Sequence, residues 1–247
     1  MFAGFTAVFY REMKMLVRRI GGLGYLFSGL LFPMIYLLAF GWGLGERVDV
    51  AGGYFAYLAK GMLAITVMMN GFQQTALSVS AARFYYRNFV TLRLSPISDN
   101  ALVFGIALAG MVRALAAAMV IFLTARFILG VEILSWPGAV GLVLTAFAFA
   151  AFGVAVGLSI KGQEQFSIII NFFITPMTFF CGSFFPIVNL PTFVRQLVQY
   201  LPLSLTNQLL QANHFAYDTW GIALELLTIT LIVYAYGVYR VRNYREF

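Results

Sequence analysis

The sequence has 247 residues, of which 62% are hydrophobic and only 10% are charged, and its formal net charge is +7. Water-soluble domains carry about 25% charged residues, so this chain has too few charges to cover its apolar surface with a solvated shell. The composition therefore predicts an integral membrane protein, and the single cysteine, Cys181, excludes an internal disulfide framework.

An amphipathic segment, residues 5–20, precedes the first long apolar run. Basic side chains at Arg11, Lys14 and Arg18 mark one face of a helix with this sequence. The apolar residues that recur at helical spacing on another face are Phe5, Phe9, Met13, Leu16 and Ile20. We expect a helix that lies in the cytoplasmic interface of the membrane, with a soluble surface helix as the alternative.

Six apolar runs are long enough to cross a bilayer, which takes about 20 helical residues. They are predicted at residues 23–44, 55–79, 101–125, 138–160, 166–185 and 219–239. With six crossings, most basic residues outside the spans fall on one side, and the positive-inside rule makes that side cytoplasmic. Both termini are therefore expected in the cytoplasm. The positive charge is interpreted as a topology signal rather than as a nucleic-acid-binding surface.

The connection after the second span is the longest on the predicted cytoplasmic side. It combines basic and aromatic residues: Arg83, Phe84, Tyr85, Tyr86, Arg87, Phe89 and Arg93. This composition suits a short helix that presents anchors to a protein partner. An interfacial helix that contacts anionic membrane lipid is an equally good interpretation.

Polar residues recur at helical spacing in the second and fifth spans. Polar side chains in hydrocarbon usually face a bundle interior or a wet cavity, so these stripes are candidates for lining a transport path. Ordinary hydrogen bonding between helices is the alternative. The candidate path residues are Met69, Asn70, Gln73, Gln74, Ser78, Asn171, Thr175 and Thr178.

A single charge, Arg113, falls near the middle of the third predicted span. A charge at that depth costs at least about 2.5 kcal/mol, so we expect a buried partner. Glu225 of the sixth span is the nearest acidic residue by predicted depth, although Lys60 and Arg126 compete for it. A structural ion pair is favoured over a substrate contact. No cluster of His, Asp, Glu or Cys in the sequence predicts a catalytic or metal site.

The segment after the fifth span, residues 182–215, is too apolar for a free external loop. It predicts short helices that dip into the outer leaflet and are broken at Pro186, Pro191 and Pro202. Such re-entrant helices could cap a pathway or seal the bundle. The residues assigned to this feature are Gly182, Phe184, Phe185, Pro186, Leu190 and Pro191.

In order and spacing, these features resemble the permeases of ABC-type-2 exporters. The resemblance covers nearly the whole chain, so residues 1–247 are taken as one transmembrane domain. It rests on the N-terminal helix, the six spans, the basic loop that ends Leu94-Ser-Pro-Ile-Ser98, and the segment 182–191 followed by Leu201-Pro-Leu-Ser204. The fold expected is all-α, with an interfacial N-terminal helix and outer re-entrant helices between spans five and six.

The resemblance implies a second permease, expected to be an identical copy, and two copies of a separate ATPase subunit. Residues 82–98 would form the coupling helix that contacts the ATPase, and the N-terminal helix would make a second contact. The implied contact residues are Arg83, Phe84, Tyr85, Arg87, Phe89, Leu92, Arg93, Ser95 and Pro96. Family members often carry acidic residues shortly before the Ser-Pro, whereas this chain has Val90, Thr91 and Arg93.

The sequence has no Gly-x-x-x-x-Gly-Lys-Ser/Thr phosphate loop, so ATP and magnesium are expected on the partner chain and no cofactor on this one. The leading hypothesis is export of an amphipathic, drug-like, lipid-like or glycan compound across the cytoplasmic (inner) membrane of a prokaryote. Export of a lipid-linked polysaccharide is the alternative within this class. An ion-coupled transporter or channel is the alternative outside it, but this would usually show midplane carboxylates and repeated halves.

Overall fold

The computed structural model describes residues 2–20, 23–44, 50, 52–128 and 130–244. These residues form helices joined by turns, and no β-strand occurs among them. The first half contains α1 (Phe2–Ile20), α2 (Leu23–Leu44), α3 (Tyr54–Ser80), α4 (Phe89–Leu94) and α5 (Asp99–Leu123). The second half contains α6 (Trp136–Ser159), α7 (Gln163–Ile169), α8 (Thr175–Phe180), α9 (Thr192–Val198), α10 (Pro202–Gln211) and α11 (Tyr217–Arg242).

Within the described part of the chain, four continuous helices are long and apolar enough to cross a membrane. They are Tyr54–Tyr85, Asp99–Phe127, Trp136–Ser159 and Tyr217–Arg242, in which α3 and α5 are extended by π-helical turns. They coincide with the second, third, fourth and sixth predicted spans, so the all-helical membrane fold is confirmed. The first predicted span corresponds to α2, although half of its side chains lie outside the description. The count of six crossings stays a prediction.

The fifth predicted span, residues 166–185, extends too far at its C-terminal end. Continuous helix runs through α7, a π turn (Ile170–Ile174) and α8, and it ends at Phe180. Residues 181–185 form bends, in which Gly182 adopts a φ of 79°. This left-handed region favours glycine, because a Cβ atom would crowd the backbone there. The apolar composition of the sequence thus continues through residues 181–185, although the helix ends at Phe180.

The central helix is α3, which is buried along most of its length and packs against α2, α5, α6 and α10. Its most extensive packing is against α6, where two glycines face it. A Cβ atom at Gly153 would lie 2.7 Å from the Phe72 carbonyl oxygen, and one at Gly157 would lie 2.8 Å from Val79 Cβ. Small residues allow helix backbones to approach closely, and this packing stabilises bundles in which apolar side chains gain little by leaving lipid.

The two ends of the helix bundle can be distinguished by the helices that begin and finish there. At the end we call basal, α3, α6 and α11 finish and α5 begins; for example, the Tyr234 hydroxyl on α11 donates to the Asn100 carbonyl of α5 over 3.2 Å. At the opposite, distal end, α6 begins beside α10, and a Cβ atom at Gly138 would lie 2.8 Å from Leu210 Cδ2. All sites below are located by these two ends.

The N-terminal helix α1 packs lengthwise on α5. A Cβ atom at Gly4 would meet Ile97, and the equivalent atom at Gly105 would meet Val8, so the two helices run in the same chain direction. The predicted helix is confirmed, but its predicted buried face is displaced. Val8 and Glu12 are buried, whereas the predicted apolar positions Phe5, Phe9 and Met13 are half-buried. The side chains of Leu16 and Ile20 lie outside the description, and the interfacial position of α1 stays a prediction.

Candidate coupling surface and transport path

We use the name coupling loop for residues 81–98, which connect α3 to α5 at the basal end. The single coupling helix predicted over 82–98 is divided in the structure. A π turn (Ala81–Tyr85) extends α3, three residues follow, and the six-residue helix α4 then leads to the turn before α5. Ser98 begins α5 by accepting a hydrogen bond from the Ala101 amide over 3.3 Å, which is a usual N-cap contact.

Arg83 is buried and binds the end of α6. Its Nη1 donates to the carbonyl oxygens of Gly157 (2.7 Å) and Ile160 (2.9 Å), and its Nε donates to the Tyr244 hydroxyl (3.0 Å). The last carbonyls of a helix have no partner within the helix, and a cation near them is favoured by the helix dipole. Arg83 therefore caps α6 and fastens the coupling loop to it.

Arg93 fastens the other side of the coupling loop to the end of α11. Its Nη2 donates to the Arg242 carbonyl oxygen over 2.7 Å, and its Nη1 donates to the Tyr244 carbonyl oxygen. Phe89 is buried and meets the Tyr244 ring edge-on, with the ring centroids 5.1 Å apart. Two helix ends are thus bound to one short loop by two arginines and a shared tyrosine.

The remaining side chains of the coupling loop divide into exposed and half-buried groups. Tyr85 and Leu94 are each 81% exposed, and Phe84, Arg87 and Pro96 are exposed as well. Leu92 and Ser95 are half-buried, and the Ser95 hydroxyl donates to the Leu92 carbonyl oxygen over 2.5 Å. The nine residues implied as ATPase contacts therefore differ in exposure, and their role stays a prediction. Arg83, Phe89 and Arg93 contact the end of α6, the end of α11 or Tyr244 just beyond it.

Arg87 has a φ of 50°, which is uncommon for a residue with a side chain and marks a sharp local turn. This turn separates the π turn of α3 from α4. Tyr85 and Tyr86, just before it, pack edge to face with centroids 5.0 Å apart. The exposed aromatic side chains are therefore supported by one another at the tip of the loop.

A buried carboxylate, Glu12, joins α1 to α3 and α5 next to the coupling loop. Its Oε2 accepts a hydrogen bond from the Ser78 hydroxyl over 2.7 Å and lies 3.5 Å from Arg113 Nη1. Its Oε1 accepts from Arg11 Nη1 over 3.2 Å, and Arg11 Nη2 donates to Asn88 Oδ1 over 3.1 Å. The network therefore extends from the middle of α5 to the coupling loop.

The predicted pairing of Arg113 with Glu225 is wrong. Arg113 is buried, as expected, but its acidic neighbour is Glu12, while Glu225 is exposed on α11. Predicted depth in the membrane could not identify the partner of Arg113. It did not show that α1 packs along α5 and places Glu12 beside Arg113.

The predicted transport-path residues are found in different environments. Ser78 is bound to Glu12, and the Thr178 hydroxyl donates to the Ile174 carbonyl oxygen over 2.8 Å, so both have partners within the chain. Asn171 is exposed, beside two exposed phenylalanines, Phe172 and Phe173. The half-buried candidates are Met69, Asn70, Gln73, Gln74 and Thr175. Their role in a path stays a prediction.

The distal segment is built from short helices that begin at the predicted prolines. A 3-10 turn (Ile187–Asn189) follows Pro186, α9 follows Pro191, and α10 begins at Pro202. The predicted breaks are therefore confirmed, whereas the re-entrant position in the membrane stays a prediction. Phe184 is buried among the rings of Tyr36, Phe40 and Phe179, while Phe185 and Leu190 are half-buried.

Sequence reasoning missed two residues that organise the basal end, Glu12 and Tyr244. Glu12 had a usable signal, because it is the one acidic residue among the first 20 and lies four positions after Val8, on the same face of a helix. Tyr244 had none, because it follows the last predicted span in a polar stretch. Its burial depends on α4 folding back onto the end of α11.

A bundle with four apolar spanning helices, internal charges held in ion pairs and helix caps, and a loop clamped across two helix ends defines a multi-pass helical membrane protein. The chain belongs to the ABC-2 type transporter family, whose model matches residues 3–215. It is thus an ABC transporter permease, a membrane protein that acts in transport.

Several proteins are similar to this permease over most of its length. The inner membrane transport permease YadH of Escherichia coli K12 is 28% identical over 172 residues, which are 68% of this chain and 67% of YadH. Nodulation protein J of Sinorhizobium fredii NGR234 is 27% identical over 205 residues, 81% of this chain and 77% of that protein. Nodulation protein J of Rhizobium leguminosarum bv. trifolii is 29% identical over 175 residues, 70% and 67% of the two chains.

Proposed function

We propose that this permease is the membrane subunit of an ATP-driven exporter that moves an amphipathic, drug-like, lipid-like or glycan compound outward across the inner membrane of a prokaryote. Family membership and the similarity to a protein named an inner membrane transport permease support this proposal. The chain carries no phosphate-loop motif, so ATP and magnesium would bind to separate ATPase subunits.

In the assembly we propose, two copies of this permease span the membrane and two ATPase subunits dock at the basal ends. The basal end would face the cytoplasm, with six crossings and both termini inside. Basic residues at that end, among them Arg87, Lys161 and Arg242, support this orientation through the positive-inside rule.

The two-sided construction of the coupling loop carries the proposal. Its inner side is held by Arg83 and Arg93 on the ends of α6 and α11, whereas its outer side exposes Tyr85 and Leu94. An exposed tyrosine on a rigid support is a suitable anchor for a protein interface, and the leucine beside it adds apolar area. A loop that transmits movement needs both properties. Its outer side must bind the ATPase, and its inner side must stay attached to the helix bundle.

Transmission of the ATPase movement would follow from the same contacts. When the ATPase subunits close on ATP, displacement of the loop would pull the carbonyl ends of α6 and α11 through Arg83 and Arg93. The Glu12 network would pass the same displacement to α1 and α5. The half-buried polar residues of α3, which packs on both α5 and α6, would then change their exposure.

Removal of exposed anchors tests the docking role. We expect Tyr85→Ala and Leu94→Ala each to weaken co-purification of the ATPase at least about tenfold, because central interface anchors commonly contribute more than 1.4 kcal/mol. Tyr217→Ala is the matched control, since Tyr217 is 94% exposed at the distal end. Wild-type recovery of the ATPase with both loop variants would contradict the docking role. Loss that follows the anionic lipid content would assign the loop to the membrane surface.

Cysteine labelling tests the orientation. In a Cys181→Ala background, His214→Cys should react with a membrane-impermeant maleimide added to intact cells, whereas Lys161→Cys should react only after the membrane is opened. Both residues are exposed, at opposite ends of the bundle. The reverse pattern would contradict a cytoplasmic basal end. The six-span topology also predicts that Glu46 is outside, but Glu46 lies beyond the described residues.

A further inference from the structure

A cavity of about 340 Å³ opens at the distal end between α9, α10 and the start of α3. This volume falls in the lower part of the range usual for small-molecule sites, about 300–1,000 Å³, and suits a polar group the size of one sugar or a glycerol phosphate. The hydrogen bond from the Tyr57 hydroxyl to the Gly182 carbonyl oxygen, 2.5 Å long, holds the turn that forms its floor.

The cavity has a polar wall made by two short helices. Arg195 and Gln199 are four residues apart at α9, and Asn207 and Gln211 are four apart on α10, so each pair lies on one helix face. The Gln208 side chain donates to the Gln199 carbonyl oxygen over 3.4 Å and joins the two helices.

Two buried polar atoms in this wall have no hydrogen-bond partner among the described residues. Asn207 is 3% exposed, and its Nδ2 donates to the Cys181 carbonyl oxygen (2.8 Å) and to Ser183 Oγ (2.9 Å). These bonds orient the amide and leave Oδ1 without a donor, and Gln211 Nε2 is without an acceptor. A buried polar atom without a partner is unfavourable, and a hydroxyl group suits either kind of atom because it both donates and accepts.

The charge of the cavity favours an anion. Arg195 is a cation, and none of the ten described residues that line the cavity is a carboxylate. The opposite wall, Pro186, Ile187 and Val188, is apolar, and the neighbouring surface of α9 exposes Phe193 and Leu197. The cavity therefore pairs one cation and several amides with an apolar border.

We propose that this distal cavity binds the head of an amphiphile that carries a phosphate or carboxylate beside hydroxyl groups. The anion would contact Arg195, the hydroxyl groups would bond to Asn207 and Gln211, and the apolar portion would lie on the 186–188 wall. This proposal rests on the proposed export function. The amphiphile would be either exported cargo that leaves the transport path or a lipid of the outer leaflet.

Protection of an engineered cysteine tests the site in the whole permease. In a Cys181→Ala, Gln199→Cys background, sn-glycerol 3-phosphate should slow modification by a membrane-impermeant maleimide about tenfold at ten times its Kd. His214→Cys, which is exposed at the distal end but outside the cavity, should react at an unchanged rate. Adding Arg195→Gln should abolish the protection, while the neutral probe glycerol should protect poorly in either background.

Two further arms identify the source of the ligand. Protection by the soluble probe supports a head presented from water, and protection only in vesicles that contain phosphatidylglycerol, compared with pure phosphatidylcholine, supports an outer-leaflet lipid. Failure of every probe, equal protection at His214→Cys, or full protection with Arg195→Gln would overturn the proposal. Because labelling requires no ATP hydrolysis, this failure is separate from a failure of the ATPase to co-purify.

Discussion

The two ends of the bundle hold ion pairs of the same type in opposite surroundings. Within the bundle, in the network that leads to the basal end, Glu12 and Arg113 are separated by 3.5 Å, with side chains 3% and 7% exposed. At the distal end, Arg126 and Glu132 are closer, at 3.3 Å, but are 48% and 82% exposed. Exposed pairs contribute little because water and salt screen them, whereas removing one member of a buried pair leaves a charge uncompensated. Burial therefore decides the contribution of an ion pair to stability more than distance does.

The same contrast extends to the neighbouring polar groups. At the basal end, Arg83 and Arg93 bind helix-end carbonyls, so the fold itself satisfies them. At the distal end, Asn207 and Gln211 each keep one buried atom that the described residues do not satisfy, and both residues line a cavity. Arg240 Nε at the basal end also lacks a hydrogen-bond partner among the described residues, but Arg240 lines no cavity described here. Four pairs of variants should differ in stability if the two ends are built in these different ways.

The largest effect is expected at Arg83. Arg83→Met would leave the Gly157 and Ile160 carbonyls and the Tyr244 hydroxyl without a donor, and should lower the free energy of unfolding by about 3–5 kcal/mol. Denaturant unfolding in detergent micelles measures this. The control is Arg87→Met, which changes an exposed arginine of the same loop. Equal stability of the two variants would remove the distinction between the inner and outer sides of the loop.

The ion pairs themselves can be compared directly. Glu12→Ala should lower the free energy of unfolding by about 2–3 kcal/mol, because the Ser78 hydroxyl and Arg113 lose a buried acceptor. Glu132→Ala should change it by less than about 0.5 kcal/mol, because that pair is exposed. The measurement is again denaturant unfolding, repeated at high salt. Similar losses for both variants would mean that burial does not separate the two pairs.

A backbone test addresses the distal turn. Gly182→Ala should cost about 1–2 kcal/mol, because φ is 79° there and the new Cβ atom would lie 2.8 Å from Ile187 Cγ1. Gly162→Ala is the basal control, since Gly162 has an extended φ of −174° with no atom in the path of a Cβ. Thermal unfolding of both purified variants would show the difference. An unaffected Gly182→Ala protein would contradict a tightly built distal floor.

The smallest effect is expected at Tyr244. Tyr244→Phe keeps the ring against Phe89 but removes the hydroxyl that accepts from Arg83 Nε, so a loss of about 1 kcal/mol is expected. Tyr217→Phe, which alters an exposed distal tyrosine, should leave stability unchanged. The two melting curves provide the measurement. Coincident curves would show that Arg83 depends on the carbonyls alone.

Much of the fold could be predicted from local sequence. The apolar runs located the four described helices that are long and apolar enough to cross a membrane, and Pro186, Pro191 and Pro202 marked the breaks before the distal helices. Proline lacks an amide hydrogen and has a fixed φ, so it breaks a helix in most surroundings. The end of the fifth span was less predictable, because its apolar composition continues through the bends at 181–185.

The candidate site was predicted only in outline. The coupling loop was found by its length and composition, but the sequence did not separate inward Arg83 from exposed Arg87, four positions later in the same segment. Residues four positions apart lie on the same face of a regular helix. Here the turn at Arg87, with its φ of 50°, interrupts the helix, so the two arginines do not share a face. Composition therefore located the loop and could not orient its side chains.

The apolar runs alone predict that this chain enters a membrane as helices, because the free energy of insertion is a sum over the residues of each span. Which polar groups meet depends instead on how the helices pack. Glu12, rather than Glu225, faces Arg113 because α1 packs along α5, and Tyr244 is buried because α4 folds back on α11. Such contacts depend on how whole helices are rotated and stacked, and many residues far apart in the sequence set that arrangement together.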